Sequence, residues 1–328
     1  MAESETRLAW RLFNLNWILI AAMSGVLLLA VLFAGFSLEP VAFGVMSGMA
    51  GEFALMVYLY FWARGSAADP KLLFGLGAIA QLLMIVTIMG PLTYVALAIN
   101  WPLQDHTFLA IDRAMGIDPE ALIKFVNNHA WVMTSLDTGY GFIKWFLLAI
   151  PIILAVTLRL VRLQLFVAAF SLALAVTLAI SAVIPAVGTY YGLNISPDDY
   201  PSIDSHFYAA QLRDILAVRS GVLRDLELFK LAGVVSFPSF HAASAVLYAW
   251  ALWPVRGGIG VAAAAMNVLT IVATPVIGAH YTIDVIGGVL VAVGCIVAVK
   301  YALGFVNSRA TVAEAGYVPA KPLEADAR

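Results

Sequence analysis

Eight apolar runs set the terms on which this chain can fold: about 12–36, 41–62, 72–98, 140–158, 164–187, 239–255, 258–278 and 282–303. Each approaches the ~20 residues that a helix rising ~1.5 Å per residue needs to cross ~30 Å of hydrocarbon. In that solvent every backbone N–H and C=O must be satisfied within a helix or a closed barrel. The period-two alternation of barrel strands is missing, so helices are expected. The expected fold is all-α, a polytopic membrane helix bundle of about eight transmembrane helices with two long outer loops.

Composition agrees. The chain is 62% hydrophobic and 12% charged, about half the ~25% charged residues of a soluble domain. A net charge of −2 argues against nucleic-acid binding and against a polybasic membrane-surface protein. The one cysteine, Cys295, lies inside an apolar run, so it can form no intrachain disulfide and belongs to no thiol motif. No group of side chains has metal-ligand spacing, so neither a metal nor a cofactor is expected. The opening "MAESETRLAWR" mixes both charge signs and precedes a run too long for a signal-peptide core, so the first span is expected to stay in place. Residues 1–305 read as a single transmembrane domain with its catalytic core at about 188–290, and 306–328 as a disordered cytoplasmic tail. No internal repeat is present, and nothing in the pattern selects an oligomeric state.

Lysine and arginine set the expected orientation. With the N-terminus in the cytoplasm, 11 of the 18 fall inside: Arg7, Arg11, Arg64, Lys71, Arg159, Arg162, Arg256, Lys300, Arg309, Lys321 and Arg328. Four of the others occupy the long segment 188–238, where charge governs orientation less. Both termini are therefore expected in the cytoplasm of a cell whose inner (plasma) membrane holds the protein. His106, His129, His206, His241 and His280 then all lie on the outer, periplasmic face. In the other outer segment, 99–139, "GIDPEALIKFV" predicts a helix capped by Asp118 and started by Pro119, with Leu122, Phe125 and Val126 on a membrane-facing side.

Two short motifs carry the chemistry. In "GAHYTIDVIGG", His280 and Asp284 stand one helical turn apart at the mouth of the last apolar run, so their side chains can meet. A carboxylate on one imidazole nitrogen fixes the tautomer and makes the other nitrogen a better nucleophile or base. In "SFPSFHAASA", His241 follows Pro238, Ser239 and Phe240 at the start of another run. Free N–H groups and the dipole at a helix start favour an anion such as phosphate, and Ser239 adds a hydroxyl donor. Two histidines beside an anion can divide the labour, one attacking phosphorus and the other protonating the leaving oxygen.

"PSFH" followed by "GAHYTID" resembles the second and third signature motifs of the type-2 phosphatidic acid phosphatase superfamily, over roughly residues 219–290. The nearest likeness is to the branch containing the aureobasidin-sensitive inositol phosphorylceramide synthases, and "HYTID" also resembles the corresponding motif of sphingomyelin synthases. The resemblance implies a phosphohistidine at His280 oriented by Asp284, His241 as general acid, and Ser239 as a phosphate ligand. Three departures stand out. Phe240 replaces the usual glycine and leaves only its backbone N–H, the expected serine–arginine pair falls on Ala273 and Thr274, and the first motif is not intact. Arg219, then Arg224 and Lys230, are the first candidates to neutralise phosphate, with Lys144 a further one.

The leading expectation is an integral-membrane lipid phosphatase or phosphotransferase, metal-independent, acting on a lipid phosphate or diphosphate in the outer leaflet. Phosphatidate, polyprenyl diphosphate, a sphingolipid phosphate and a phosphoinositol donor all fit, and so do water and an alcohol as acceptors. The alternative is a transporter or flippase using Glu52, near the middle of the second run, together with the outer histidines.

Overall fold

The computed structural model describes residues 2–196, 199–203 and 206–315. It is helical almost throughout. In chain order the helices are α1 (Ala2–Phe33), α2 (Pro40–Arg64), α3 (Pro70–Leu97), α4 (Asp105–Ala114), α5 (Pro119–Asn127), α6 (Ala130–Gly141), α7 (Ile143–Val156), α8 (Leu160–Val183), α9 (Thr189–Gly192), α10 (His206–Arg219), α11 (Phe240–Leu252), α12 (Ile259–Ile277) and α13 (Thr282–Ala315). Residues 316–328, most of the expected tail, lie outside the described residues, and α13 itself runs past 306.

The starts of these helices follow from local chemistry. Glu39 caps α2 by accepting from the N–H groups of Val41 and Ala42 at 2.8 and 2.7 Å, with Pro40 in the first turn. Asp69 and Pro70 do the same for α3. Asp118 caps α5 as expected, accepting from Glu120 and Ala121 at 3.1 and 3.3 Å. The face of α5 differs from expectation. Leu122 and Phe125 are exposed, as a membrane-facing side requires, but Val126 turns inward beside Ile123.

Among the described residues, six helices are long and apolar enough to cross a membrane: α1, α2, α3, α8, α12 and α13. α6 and α7 meet at a bend of 43° and together are long and apolar enough to make a seventh. The expected eighth, at 239–255, becomes α11, whose 13 residues cover only about 20 Å. It begins inside the protein, where buried Ser239 caps it, and ends where Arg162 of α8 takes carbonyls of its last turn. The result is still a polytopic helix bundle.

α3 and α8 form the interior of that bundle. Their apolar side chains, among them Phe74, Ile85, Leu163 and Phe166, are fully enclosed with Phe13 of α1, Leu154 of α7 and Tyr248 of α11. Polar groups among them are paired in part, with Oε1 of Gln81, Nε2 of Gln164 and the Thr177 hydroxyl left buried without a partner. Gln81 donates to the carbonyl of Phe13 at 2.8 Å, and Asn16 donates to the side chain of Gln164 at 3.2 Å. α2 is the peripheral span, and its Glu52 is exposed on the outer side of the bundle.

At one end of the bundle, α4, α5, α9 and α10 form a second apolar cluster over the ends of α3 and α12. A short parallel pair, β1 (Ser37–Leu38) with β2 (Asp225–Leu226), ties this cap to the α1–α2 connection. The starts of α11 and α13 open under the same cap.

Candidate active site

The centre of the site is the junction between the starts of α11 and α13. Ser239 ends the segment that passes through the cis Phe237–Pro238 peptide, and its N–H donates to the backbone carbonyl of Asp284 at 2.9 Å. The two helix starts touch at Gly288, where a Cβ would collide with the carbonyl of Ser239. Only glycine admits that approach, which brings two motifs 41 residues apart in the chain into contact.

His280 and Asp284 meet as their spacing predicts. Nδ1 of His280 lies 3.2 Å from Oδ2 of Asp284, and both side chains are buried. The same oxygen accepts from the N–H of Tyr281 at 3.0 Å and from the hydroxyl of Ser236 at 2.7 Å. Oδ1 of Asp284 is buried without a partner. The carboxylate is thus held by a backbone and a side-chain donor while it faces the imidazole. On the other side of the ring, Nε2 lies 3.4 Å from the Ser239 hydroxyl. That hydroxyl also accepts from Ala242 at 3.3 Å, as the cap of α11.

His241 stands in the first turn of α11, its ring 6.4 Å from that of His280 between centroids. Tyr140, from the end of α6, stacks on His241 at 4.3 Å with planes 13° apart. Phe240 turns its ring away, edge-on to Phe170 of α8 at 5.3 Å. A cavity of about 400 Å³ opens beside Phe240 and His241, bounded by Met46 of α2, Val86 and Met89 of α3, and Leu174 of α8. His280, 5% exposed, lies behind His241 rather than in the cavity wall.

Sequence reading missed the residues that hold His280 from above. Asp105, at the start of α4, accepts from the N–H groups of Val187 (3.1 Å) and Gly188 (2.8 Å) and from the hydroxyl of Tyr281 at 3.0 Å. Gly188 has φ +138°, and a Cβ on it would strike the carbonyl of Ala279. Asp112, one helix face along, accepts from Thr282 at 2.8 Å and Ile283 at 3.2 Å, the first N–H groups of α13. Burial pushes both carboxyls above the ordinary aspartate value. It also pushes the Tyr281 phenol up, with Asp105 adding to the effect. The signal was present as two aspartates seven residues apart in "DHTFLAID", but nothing local says what they grip.

The expected cations part company. Arg219 ends α10, half-buried, with one terminal guanidinium nitrogen buried and unpartnered. Burial draws its pKa down, opposed by the charges of Tyr191 and Asp105, so it lies within electrostatic reach of the Asp105 cluster. Arg224 is occupied elsewhere: it donates to the carbonyls of Val218 and Leu223 at 2.9 and 3.0 Å and covers Phe36 at 4.7 Å. Lys230 pairs with Glu227 at 2.7 Å on the surface. Lys144 is exposed near the start of α7. No contact gathers these three into the histidine cluster. Thr274, at the family's arginine position, is buried in α12 and donates to the carbonyl of Thr270 at 2.7 Å. His106 is exposed, His129 bonds the carbonyl of Phe125 at 2.7 Å, and the side chain of His206 lies outside the described residues.

No curated protein and no solved structure matches the chain. A family model does: residues 106–298 match the one described as PAP2 superfamily. The match takes in both histidine motifs, the helices that present them and the cap above them, well over half of the chain. On that evidence this multi-pass membrane protein belongs to the PAP2 superfamily, which implies a phosphatase or phosphotransferase with a lipid phosphate as substrate.

Proposed function

We propose that the protein transfers a phosphoryl group from a membrane lipid through a phosphohistidine at His280. The observation that carries this reading is the bracketing of His280, with Asp284 on Nδ1 and the serine-capped start of α11 on Nε2. With the Nδ1 proton directed at Asp284, Nε2 keeps its lone pair and attacks phosphorus. A P–N bond forms as the lipid P–O bond breaks. Burial and the neighbouring His280 hold His241 well below the ordinary histidine pKa, so it is charged only once the phosphate anion stands beside it, and it then gives its proton to the leaving oxygen. In the second half His241 takes a proton from water or an alcohol, which attacks phosphorus and releases His280. Ser239 turns its hydroxyl from Nε2 to a phosphate oxygen. The N–H groups of Phe240 and His241, without intrahelical acceptors in the first turn, favour the anion, and Arg219 supplies the full positive charge.

The lipid part of the reading rests on the cavity beside His241, whose apolar walls offer a chain a path out of the bilayer. Glu52 argues against transport, because it is exposed and forms no part of the cavity wall beside His241. The likeness to inositol phosphorylceramide synthases rests on "PSFH" and "GAHYTID" alone and makes transfer to an alcohol one arm of the test.

The test offers purified protein a panel of ³²P-labelled lipid phosphates, with and without alcohol acceptors, and analyses the products. Quenched reactions should contain a base-stable, acid-labile protein label that His280→Ala lacks while inserting normally. Turnover by a well-folded His280→Ala protein would end the phosphohistidine proposal. Release of inorganic phosphate alone assigns a phosphatase, and phosphorylated alcohol assigns a transferase.

A further inference from the structure

A second groove, of about 630 Å³, lies at the end of α11 opposite His241, between α8, α11, α12 and α13. The groove follows α11 and its end from Ala245 to Pro254, and the 13 residues of that helix put its far end about 20 Å from His241. Ala264 and Ile271 form an apolar wall, while Arg162, Trp250, Trp253 and Lys300 stand at the other end. The guanidinium of Arg162 lies over the Trp250 ring at 4.7 Å, and Nζ of Lys300 lies 5.9 Å from the same ring. Arg162 also donates to the carbonyls of Ala251 and Trp250, and neighbouring Arg159 donates to that of Pro254.

The charge balance is uneven. Among the described residues, no carboxylate lies within ion-pair distance of Arg159, Arg162 or Lys300. The carbonyls at the end of α11 offer only partial negative charge, too little to match three cations. The indole N–H of Trp250 is also buried without an acceptor. Cations and an unused donor at one end, with an apolar wall running away from them, match the shape and polarity of a phospholipid. Basic pockets between membrane helices take anionic headgroups in this way.

We propose that this groove binds one anionic phospholipid from the leaflet opposite the reaction site. Its phosphate lies against Lys300 and Arg162, where the Trp250 N–H can donate, and one acyl chain follows Ala264 and Ile271. The proposal is independent of what the histidines do.

Native mass spectrometry on the full chain in detergent tests it, with dioleoylphosphatidylglycerol or dioleoylphosphatidylcholine added in equal amounts. One phosphatidylglycerol per chain should survive activation under conditions that strip phosphatidylcholine. Lys300→Gln should lower that occupancy about fivefold, and Lys300→Arg should restore it. Ala264→Phe, which fills the groove, should abolish it. Lys71→Gln removes a cation at the same end of the bundle but outside the groove and should change nothing. Equal retention of the two lipids, an equal loss for Lys71→Gln and Lys300→Gln, or undiminished occupancy in a folded Ala264→Phe protein would each overturn the proposal.

Discussion

Asp284→Asn is the sharpest single test of how His280 is set for attack. Asparagine is nearly isosteric, and its carbonyl oxygen can take the place of Oδ2, accepting from Tyr281 and Ser236 as the carboxylate does at 3.0 and 2.7 Å. Its amide then falls where Oδ1 is buried without a partner, an unsatisfied donor costing about 1–3 kcal/mol. The fold should survive that loss, because the backbone bond between Ser239 and residue 284 is untouched. The rate should not. The charge facing Nδ1 of His280 disappears, and attack through Nε2 places positive charge on the ring just where that carboxylate stood. The amide oxygen can still accept from Nδ1–H, so the tautomer is kept, and the loss of this charge stabilisation alone is worth about 10²–10⁴ in rate, or about 2.7–5.5 kcal/mol of barrier. The assay is single-turnover formation of the acid-labile label, beside a thermal melt in the same detergent. Ser236→Ala, which removes one bond to the carboxylate and keeps its charge, should cost about tenfold or less. If Asp284→Asn labels within about threefold of wild type at an unchanged melting temperature, the charge of Asp284 does not support the nucleophile, and its part in the proposed mechanism falls.

His241→Ala should slow lipid substrates with poor leaving groups about 10²–10⁴-fold and an activated nitrophenyl phosphate far less; equal losses would deny it the role of acid. Arg219→Ala should raise KM for phosphorylated substrates about tenfold or more with an unchanged melt, whereas Arg224→Ala, removing carbonyl bonds and the contact with Phe36, should lower the melting temperature and spare KM. Burial raises the carboxyls of Asp105 and Asp112, so the folded state holds their protons more tightly than the unfolded chain. Their stabilising contribution is complete below the unfolded value of about 3.9 and is lost as pH rises through the raised folded values. The melting temperature of wild type minus that of Asp112→Asn should therefore grow as pH falls from 7 towards about 4, and a flat difference would refute the assignment. For topology, in a chain with Cys295 replaced by alanine, a membrane-impermeant thiol reagent should label Ser202→Cys in intact cells and Gly257→Cys only after lysis; the reverse would turn the histidines to the cytoplasm.

What could be read beforehand was what short-range geometry decides. The His280–Asp284 pair and the cap at Asp118 depend on residues within one turn of each other, and each is found where the spacing put it. The apolar runs likewise give the helices. Contacts across the chain left no such trace. Ser236 meets Asp284 across 48 residues, and Asp105 meets Tyr281 across 176. Nothing periodic in either partner announces the other. The end of α11 was legible, since Pro254 follows it closely in "PVRGG"; the cation that takes its last carbonyls, Arg162 from 89 residues away, was not. Arg224 and Lys230 mark the opposite error. They precede His241 closely in the chain, but the first is drawn to backbone carbonyls and the second to Glu227. Nearness in sequence was a poor guide to nearness in space.

The departures from the family pattern have a common consequence on the proposed reading. Where the third motif's arginine would stand, Ala273 and Thr274 are fully buried in α12, and the threonine hydroxyl is spent on the helix backbone. No cation can reach the phosphate from there, so the anion must rely on the start of α11, on Ser239 and on a cation from another element, which makes the unpartnered nitrogen of Arg219 the consistent choice. The missing glycine of the second motif then acquires a meaning. A side chain at position 240 is tolerated because it points at Phe170 and away from the anion, leaving the backbone N–H free to donate. That same ring forms part of the wall of the apolar cavity beside His241. Phe240 therefore joins the two ends of a lipid phosphate, the anion through its backbone and the chain through its side chain. Phe240→Gly should keep the first contact and lose the second. KM for long-chain substrates should rise while that for a short soluble phosphate ester stays constant, and a parallel change in both would separate the cavity from the substrate.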